Sequence, residues 1–390
     1  MQLCLTSGVS AAALSTLSAP RHRLPPASVA AFAAAPRRLR HSCSTCVKAQ
    51  AVFEGPTGSG DEPLPEQPLA GSSPILEVER QTERALTYAG LTALLGVSGL
   101  VLAAAPATVV QFVWATRPSL FVAGVARITG ALVLLAAVCA NCLKEAAEHE
   151  RLPSDTYQRL NLGLMWWGVG TCLALWTAKQ QPTRLALGLC TLLLSATSFH
   201  AAMTVQETSE GGLNPFFLAK RFLSSLGNLS SYHNTGRSSI VPLYGYGLAA
   251  KGALAAALAI LLQGRLQLAQ AVTAVGVANV PAGATAAQNG LLLVPMGTLG
   301  NAVARVTSVG YLLLSLVLFI LKDAAQRGRL GASTFKQLNI GVAVVGITAS
   351  SSVAAGLQAG FIKPGLLASW KLGAMLAVTC LTLFNYFAAK

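Results

Sequence analysis

Arg127 and Arg305 are the residues of this sequence best placed to bind a charged ligand. Each lies about eight residues into a long apolar stretch, and no Asp or Glu lies inside any such stretch to neutralise it. A charge deep in a membrane costs about 3 kcal/mol unless it is paired, so an intramembrane arginine is by default a candidate for function. Binding of an anion or a lipid headgroup is one interpretation. The other is structural: the long side chain reaches the interface or donates to backbone carbonyls.

Asn161 and Asn339 are a second pair of candidate binding residues. Each lies near the start of an apolar stretch, five residues after a threonine (Thr156 and Thr334). A short amide side chain readily bonds to nearby backbone groups, so we expect each asparagine to tie a polar connector to the helix that follows. Contact with a ligand is the alternative.

Motifs for catalysis or metal binding do not occur in the sequence. It contains no P-loop, no GxSxG elbow and no HExxH motif. His200 has no second ligand at metal spacing, and Cys43 and Cys46 form a CxxC without a second pair. We therefore assign no catalytic residue and no metal ligand, leave the cofactor unassigned, and expect a protein that is not an enzyme.

The segments that contain these residues occur twice in the sequence. Residues 124–163 align without a gap to residues 302–341, with 16 identities in 40 positions. The two arginines align with each other, and so do the two asparagines, at a constant offset of 178 residues. Self-similarity of this kind indicates an internal duplication.

The composition is typical of a membrane protein. Hydrophobic residues make up 53% of the chain and charged residues only 11%, with a mean hydropathy of +0.56. Of the 28 basic residues behind the net charge of +14, six precede the first acidic residue, Glu54. The remaining excess fits loops on one side of a bilayer. We therefore expect membrane lipids as partners, and no nucleic acid.

Four apolar stretches in each copy of the repeat are candidates to cross about 30 Å of hydrocarbon. They are residues 85–105, 119–143, 160–178, 184–205, 243–263, 296–321, 337–357 and 365–388. Four crossings return the chain to the side where it started, so both copies enter from the same side as parallel repeats. The expected fold class is all-α: a polytopic membrane protein with two tandem parallel repeats of about four transmembrane helices each.

The segments outside the repeats have distinct compositions. Residues 1–50 are rich in Ala, Ser and Arg and lack Asp and Glu, which is typical of an organellar transit peptide. We interpret it as a plastid address, with a mitochondrial presequence as the alternative. The expected segments are a transit peptide (1–50), a flexible acidic tail (51–84), the first repeat (85–205), a connector with an amphipathic helix (206–242) and the second repeat (243–390).

Two shorter stretches break the pattern of crossings. Residues 107–118 leave no room for a turn before the next crossing, so we expect them to lie at the interface. Residues 264–290 contain Pro281, Gly283 and Asn289, which argue against a full crossing. This second stretch makes the second copy about 20 residues longer than the first.

Basic residues indicate the orientation of the chain. The expected loops on the side of the termini carry thirteen Lys and Arg, and those on the opposite side carry five. Because loops rich in Lys and Arg stay on the side from which the protein inserts, we expect both termini to face the chloroplast stroma. We expect the thylakoid membrane rather than the inner envelope.

A short pattern of elements recurs in both copies. In the first, Pro106 breaks the chain after one span, the next span opens on Ala126-Arg127-Ile128-Thr129, and a close pair of spans follows. This pattern resembles small four-helix membrane proteins of the DoxX-like kind, here in tandem. The resemblance implies a four-helix bundle in each half and no transferable activity. The whole chain also resembles uncharacterised, nucleus-encoded multi-pass plastid membrane proteins of green algae and plants.

Three functions fit these features. The first is a non-enzymatic factor that supports or assembles membrane complexes, with thylakoid protein complexes as partners. The second is a transporter or channel, for example for an anion, with Arg127 and Arg305 between the two repeats. The third is an enzyme that acts on a lipid or a pigment. A polar cavity between the repeats would favour transport, whereas a dry seam with exposed small-residue faces would favour assembly.

Overall fold

The computed structural model describes residues 74–208, 240–273, 297–359 and 366–388, and a few helical positions between 220 and 227. All of these belong to one compact unit, Ala70–Lys390. The expected transit peptide (1–50), most of the expected acidic tail and of the 206–242 connector, and residues 274–296 lie outside the described residues.

Nine α-helices form the described part of the chain, which contains no strand. They are α1 (Pro74–Ala104), α2 (Pro106–Trp114), α3 (Leu120–Glu148), α4 (Asp155–Trp176), α5 (Arg184–Thr208), α6 (Ile240–Thr273), α7 (Thr298–Gln326), α8 (Ser333–Gln358) and α9 (Leu366–Ala388). We call α1 to α5 the N-terminal half and α6 to α9 the C-terminal half. The all-α class expected from the sequence is confirmed for these residues.

Six of the described helices are long and apolar enough to cross a membrane. They are α1, α3, α5, α6, α7 and α8. Helix α4, which carries Asp155, Arg159 and Asn161 near its start, is not among them, and in α9 the side chains are described only for Leu372–Ala388. Each of the eight expected crossings therefore coincides with a helix, and six of those helices meet both criteria for a membrane span.

Two helices extend beyond their expected apolar stretches. Helix α1 begins at Pro74, so residues 74–84, which the sequence analysis placed in the flexible tail, are helical. Helix α6 continues to Thr273, ten residues past the expected end of its crossing. Apolarity defines the part of a helix inside the membrane, whereas Glu, Arg, Leu and Gln favour helix beyond it.

Local signals set the helix ends around the predicted interfacial stretch. Pro106 cannot donate to a preceding carbonyl, so α1 ends at Ala104 and α2 begins with this proline. Ser119 then caps α3, because its side chain accepts a hydrogen bond from the backbone N–H of Val122 at 3.3 Å. Residues 107–118 are therefore one short helix and a turn.

The turns after α3 and α7 have the same backbone structure. Glu150 and Gly328 adopt left-handed conformations, with φ of 56° and 65°. The N–H one residue later donates to the carbonyl five positions before it, at 2.8 Å in the first turn and 2.9 Å in the second. This pattern satisfies carbonyls at a helix end and reverses the chain.

Helices α3 and α7 form the centre of the molecule. Helix α1 packs along α3 and α6 along α7, while α4 lies against α7 and α8 against α3. Helices α5 and α9 pack on the outside, beside α4 and α8 respectively. The two central helices contribute more buried residues than any other pair of helices, and the candidate site residues lie on them or on their neighbours.

Candidate functional site

Arg305 lies in the second turn of α7, half-buried between α7 and α4. Its Nη1 donates to the backbone carbonyl of Thr177 at 3.4 Å. Thr177 is the C-cap of α4, where the free carbonyls carry partial negative charge, so a guanidinium is stabilised there. A contact to backbone carbonyls was one of the expectations from the sequence, and the acceptor lies in the opposite half of the molecule.

Arg127, the aligned residue on α3, has a different environment. Its side chain is exposed, and no hydrogen bond or ion pair joins it to another described residue. The two arginines have almost identical local sequences. Their difference therefore comes from helix packing.

A cavity of about 520 Å³ lies next to Arg305, between α4 and α7. We call it the α4–α7 groove. It is lined by Trp166, Gly170, Leu173, Ala174 and Thr177 of α4, by Arg305, Val309 and Leu312 of α7, by Leu261 of α6, and by Phe222 and Leu223. Arg305 is the only charged residue among the described residues of this lining, which give the groove an apolar surface with a cationic end.

Asn161 and Asn339 are completely buried, at 1% and 0% exposure. Tyr88 of α1 donates its hydroxyl proton to Oδ1 of Asn161 at 2.6 Å, and Tyr246 of α6 donates to Oδ1 of Asn339 at 2.6 Å. These side-chain contacts replace the backbone contacts expected from the sequence. The reason is position: both asparagines lie on buried helix faces, where the nearby backbone groups already form the helix.

Each tyrosine belongs to a larger polar cluster in its own half. The Tyr88 hydroxyl also lies 3.1 Å from Oγ1 of Thr204, and the His200 ring packs edge-on against the Tyr88 ring with centroids 4.5 Å apart. In the C-terminal half, Nδ2 of Asn385 donates to the Tyr246 hydroxyl at 2.9 Å. The first cluster joins α1 to α4 and α5, and the second joins α6 to α8 and α9. Both clusters therefore hold helices of one half together.

The amide nitrogens of Asn161 and Asn339 have no hydrogen-bond partner among the described residues, and neither has Nε2 of His200. The same part of the chain contains no group of three or more His, Cys, Asp and Glu side chains that could hold a metal ion. These donors are therefore available to water, the ligand that most often satisfies a buried amide.

A threonine pair joins the two halves at the centre of the molecule. Oγ1 of Thr129 on α3 lies 2.7 Å from Oγ1 of Thr307 on α7. One turn further along, a Cβ added to Gly310 would lie 2.7 Å from Cδ1 of Leu132. The members of each pair are 178 residues apart, so aligned positions of the duplicated sequence contact each other.

Near the turns, one pair of polar side chains joins α4 to α7 and another joins α8 to α3. Arg159 of α4 forms an ion pair with Asp323 of α7 at 3.5 Å. At the aligned positions, Gln337 of α8 donates to Glu145 of α3. A second cavity, of about 360 Å³, is lined only by residues of the two turns and of the first turns of α4 and α8, including Arg151 and Arg329. This cavity therefore lies at the end of the helices and does not extend between them.

Sequence reasoning missed the tyrosines and the threonine pair as contacts. Weak signals exist: Tyr246-Gly247-Leu248 echoes the Tyr88-Ala89-Gly90-Leu91 of the first half, and the threonines belong to the repeated Ala-Arg-x-Thr. Asn385 has no such signal. No known protein family matches the chain, and no curated protein has significant sequence similarity to it.

Proposed function

We propose that this protein is a non-enzymatic integral protein of a chloroplast membrane, the thylakoid, that supports or assembles membrane protein complexes. The observation that carries this proposal is the packed seam between the halves. Thr129 and Thr307 bond directly to each other, and Leu132, Leu135 and Leu313 are buried beside them. A solute pathway needs polar, hydrated walls, and no residue of α3 lines either described cavity, so neither cavity runs along the contact between α3 and α7.

An exposed face of small residues on α6 offers a place for a partner helix. Helix backbones in lipid approach closely where residues three or four positions apart are small. The exposed residues of this face are Gly252, Ala255, Ala256 and Ala259. A Cβ added at Gly252 would meet nothing within 4 Å, so no described residue covers the face at this point.

Replacing Gly252 and Ala256 together with leucine should remove the protein from a large complex. Two leucines hold an incoming helix away from α6, and they do not disturb the fold because both positions are exposed. The measurement is native gel migration of the tagged protein from solubilised thylakoids. Gly188→Leu is the matched control, since Gly188 is an exposed glycine of α5 with equally open surroundings.

Three outcomes of that gel separate the alternatives. Migration of the wild-type protein as a single small species would end the assembly proposal. Equal loss of the complex in the Gly188 control would place the partner elsewhere. Absence of the tagged protein from purified thylakoids would end the proposed location, which rests on residues 1–50 as a transit peptide.

We further propose that the halves are two tandem parallel repeats related by an approximate two-fold axis, as in the DoxX-like resemblance. Support comes from the identical offset of 178 residues at both ends of α3 and α7, from the matching turns, and from the Tyr–Asn bonds of 2.6 Å. The 2.7 Å contact of Thr129 with Thr307 supports an axis that runs between α3 and α7.

The variant Thr129→Cys, Thr307→Cys should form a disulfide between the halves upon mild oxidation. The hydroxyl oxygens are 2.7 Å apart, close to the separation that two bonded sulfurs need. With a protease site inserted in the 228–239 region, the two fragments should stay together on a non-reducing gel. Thr129→Cys alone is the control, because a single thiol at this position cannot form a disulfide with the hydroxyl of Thr307. Separation of the fragments in the first variant would contradict the proposed axis.

The alternative function is a transporter or channel for an anion. The observation in its favour is the half-buried Arg305 beside the α4–α7 groove. The apolar lining of that groove argues against passage of a hydrated ion, because an ion needs polar groups to replace its water. Anion flux in proteoliposomes that Arg305→Gln abolishes would establish this function in place of assembly.

A further inference from the structure

We propose that the α4–α7 groove binds one anionic membrane lipid, with its headgroup at Arg305 and an acyl chain along α4. This inference needs the protein to lie in a membrane, but it does not depend on the assembly role. The groove is the larger of the two described cavities, at about 520 Å³, and its described lining combines a long apolar wall with one cation, Arg305.

The length of the groove fits a hydrocarbon chain. Its α4 wall runs from Trp166 to Thr177, eleven residues or about 16 Å at 1.5 Å per residue. Helix α7 runs antiparallel to α4 here: Gly170 lies against Val309, and Thr177 lies at Arg305. The described residues that line the groove between its ends are apolar, so an acyl chain would replace water along this wall.

The charge at the end of the groove selects the headgroup. A guanidinium has five N–H donors, and the contact to the Thr177 carbonyl uses one of them. That contact lies at the mouth of the groove, and the described lining contains no carboxylate that would neutralise the guanidinium. Planar, paired donors suit the oxygens of a phosphate or a sulfonate.

The groove opens sideways, towards the lipid that surrounds the helices. Leu173 is 59% exposed on one wall and Leu223 is 66% exposed on another. A molecule can therefore enter from the bilayer without passing between α3 and α7. A membrane lipid is the molecule at this place that carries both an anionic head and an apolar chain.

Arg127 is an internal control for this site. It occupies the aligned position in the other half, it is exposed, and it lines neither of the two described cavities. An arginine that acted only through the charge of the surface would behave in the same way at both positions. If the lipid binds in the α4–α7 groove, only substitution of Arg305 should change its affinity.

Quenching of Trp166 by brominated lipids tests the proposal, because Trp166 lines the groove. The full chain is reconstituted in nanodiscs of phosphatidylcholine, and brominated phosphatidylglycerol or brominated phosphatidylcholine is added at equal fractions. The signal is the part of the quenching that Trp166→Phe removes. We expect the anionic lipid to bind about tenfold more tightly than the zwitterionic lipid, the effect of one charge-assisted contact.

Variants at the two arginines decide the result. Arg305→Gln should remove the preference, Arg305→Lys should keep only part of it, and Arg127→Gln should leave it unchanged. Equal quenching by both lipids in the wild-type protein, or equal effects of Gln at positions 127 and 305, would overturn the proposal. Displacement of the brominated lipid by inorganic phosphate would show a site for a free anion instead. If Arg305→Gln does not fold, the comparison of Arg305→Lys with Arg127→Lys decides in its place.

Discussion

Replacing Gly130 with valine is expected to destabilise the protein by about 3 kcal/mol, the upper range for overpacking of a close contact. A Cβ at this position would lie 2.5 Å from the backbone nitrogen of Ala103 and 2.9 Å from the carbonyl oxygen of Gly99. These are backbone atoms, which cannot rotate away as a side chain can. Helices α1 and α3 would have to separate, and the Tyr88–Asn161 bond depends on the position of α1.

Gly124→Val is the matched control for this variant. Gly124 lies in the same helix, and a Cβ there would meet nothing within 4 Å. The two substitutions change helix propensity equally, so their difference isolates the contact between α1 and α3. The measurement is thermal unfolding of both purified variants in the same detergent. Equal stability of the two proteins would mean that α1 does not approach α3 as closely as the structure has it.

The sequence alone predicts the helices of the duplicated region well, because local signals determine them. Apolar stretches of sufficient length end at polar turns, and the turn after α3 is repeated after α7 with a glycine at the left-handed position of the second copy. In the C-terminal half, Ala257 and Ser308 align with Gly99 and Gly130 and are also small and buried. Such patterns depend on neighbours a few residues apart.

Partners across helices could not be predicted in the same way. Asn161 meets Tyr88 from 73 residues away, and only the packing of α1, α3 and α4 brings them together. Arg127 and Arg305 show the limit most clearly. Their local sequences match, yet one is exposed and the other lies at the end of α4 beside a groove. Long-range packing, which differs between the halves, decides their environment.

The buried Tyr–Asn bonds should act as two separate energetic units, one in each half. Tyr246→Phe leaves the Asn339 oxygen buried without a donor, and Asn339→Leu leaves the Tyr246 hydroxyl without its acceptor. Each single variant should lower the free energy of unfolding by about 1–2 kcal/mol, the cost of an unsatisfied buried group. The double variant should cost less than the sum, because it leaves neither partner unsatisfied. We expect a coupling of about 1 kcal/mol, within the range of hydrogen bonds between membrane helices.

The control is the mixed pair, Tyr88→Phe with Asn339→Leu. No hydrogen bond in the described part of the chain joins the two clusters, so these effects should add to within about 0.5 kcal/mol. Tyr88→Phe with Asn161→Leu should in turn show a coupling like that of the C-terminal pair, since the bond is 2.6 Å long in both halves. Unfolding in a denaturing detergent measures all of these variants. Coupling in the mixed pair as large as in the matched pairs would mean that the halves unfold through one shared polar network. Additivity in both matched pairs would mean that the tyrosines do not bond to the asparagines.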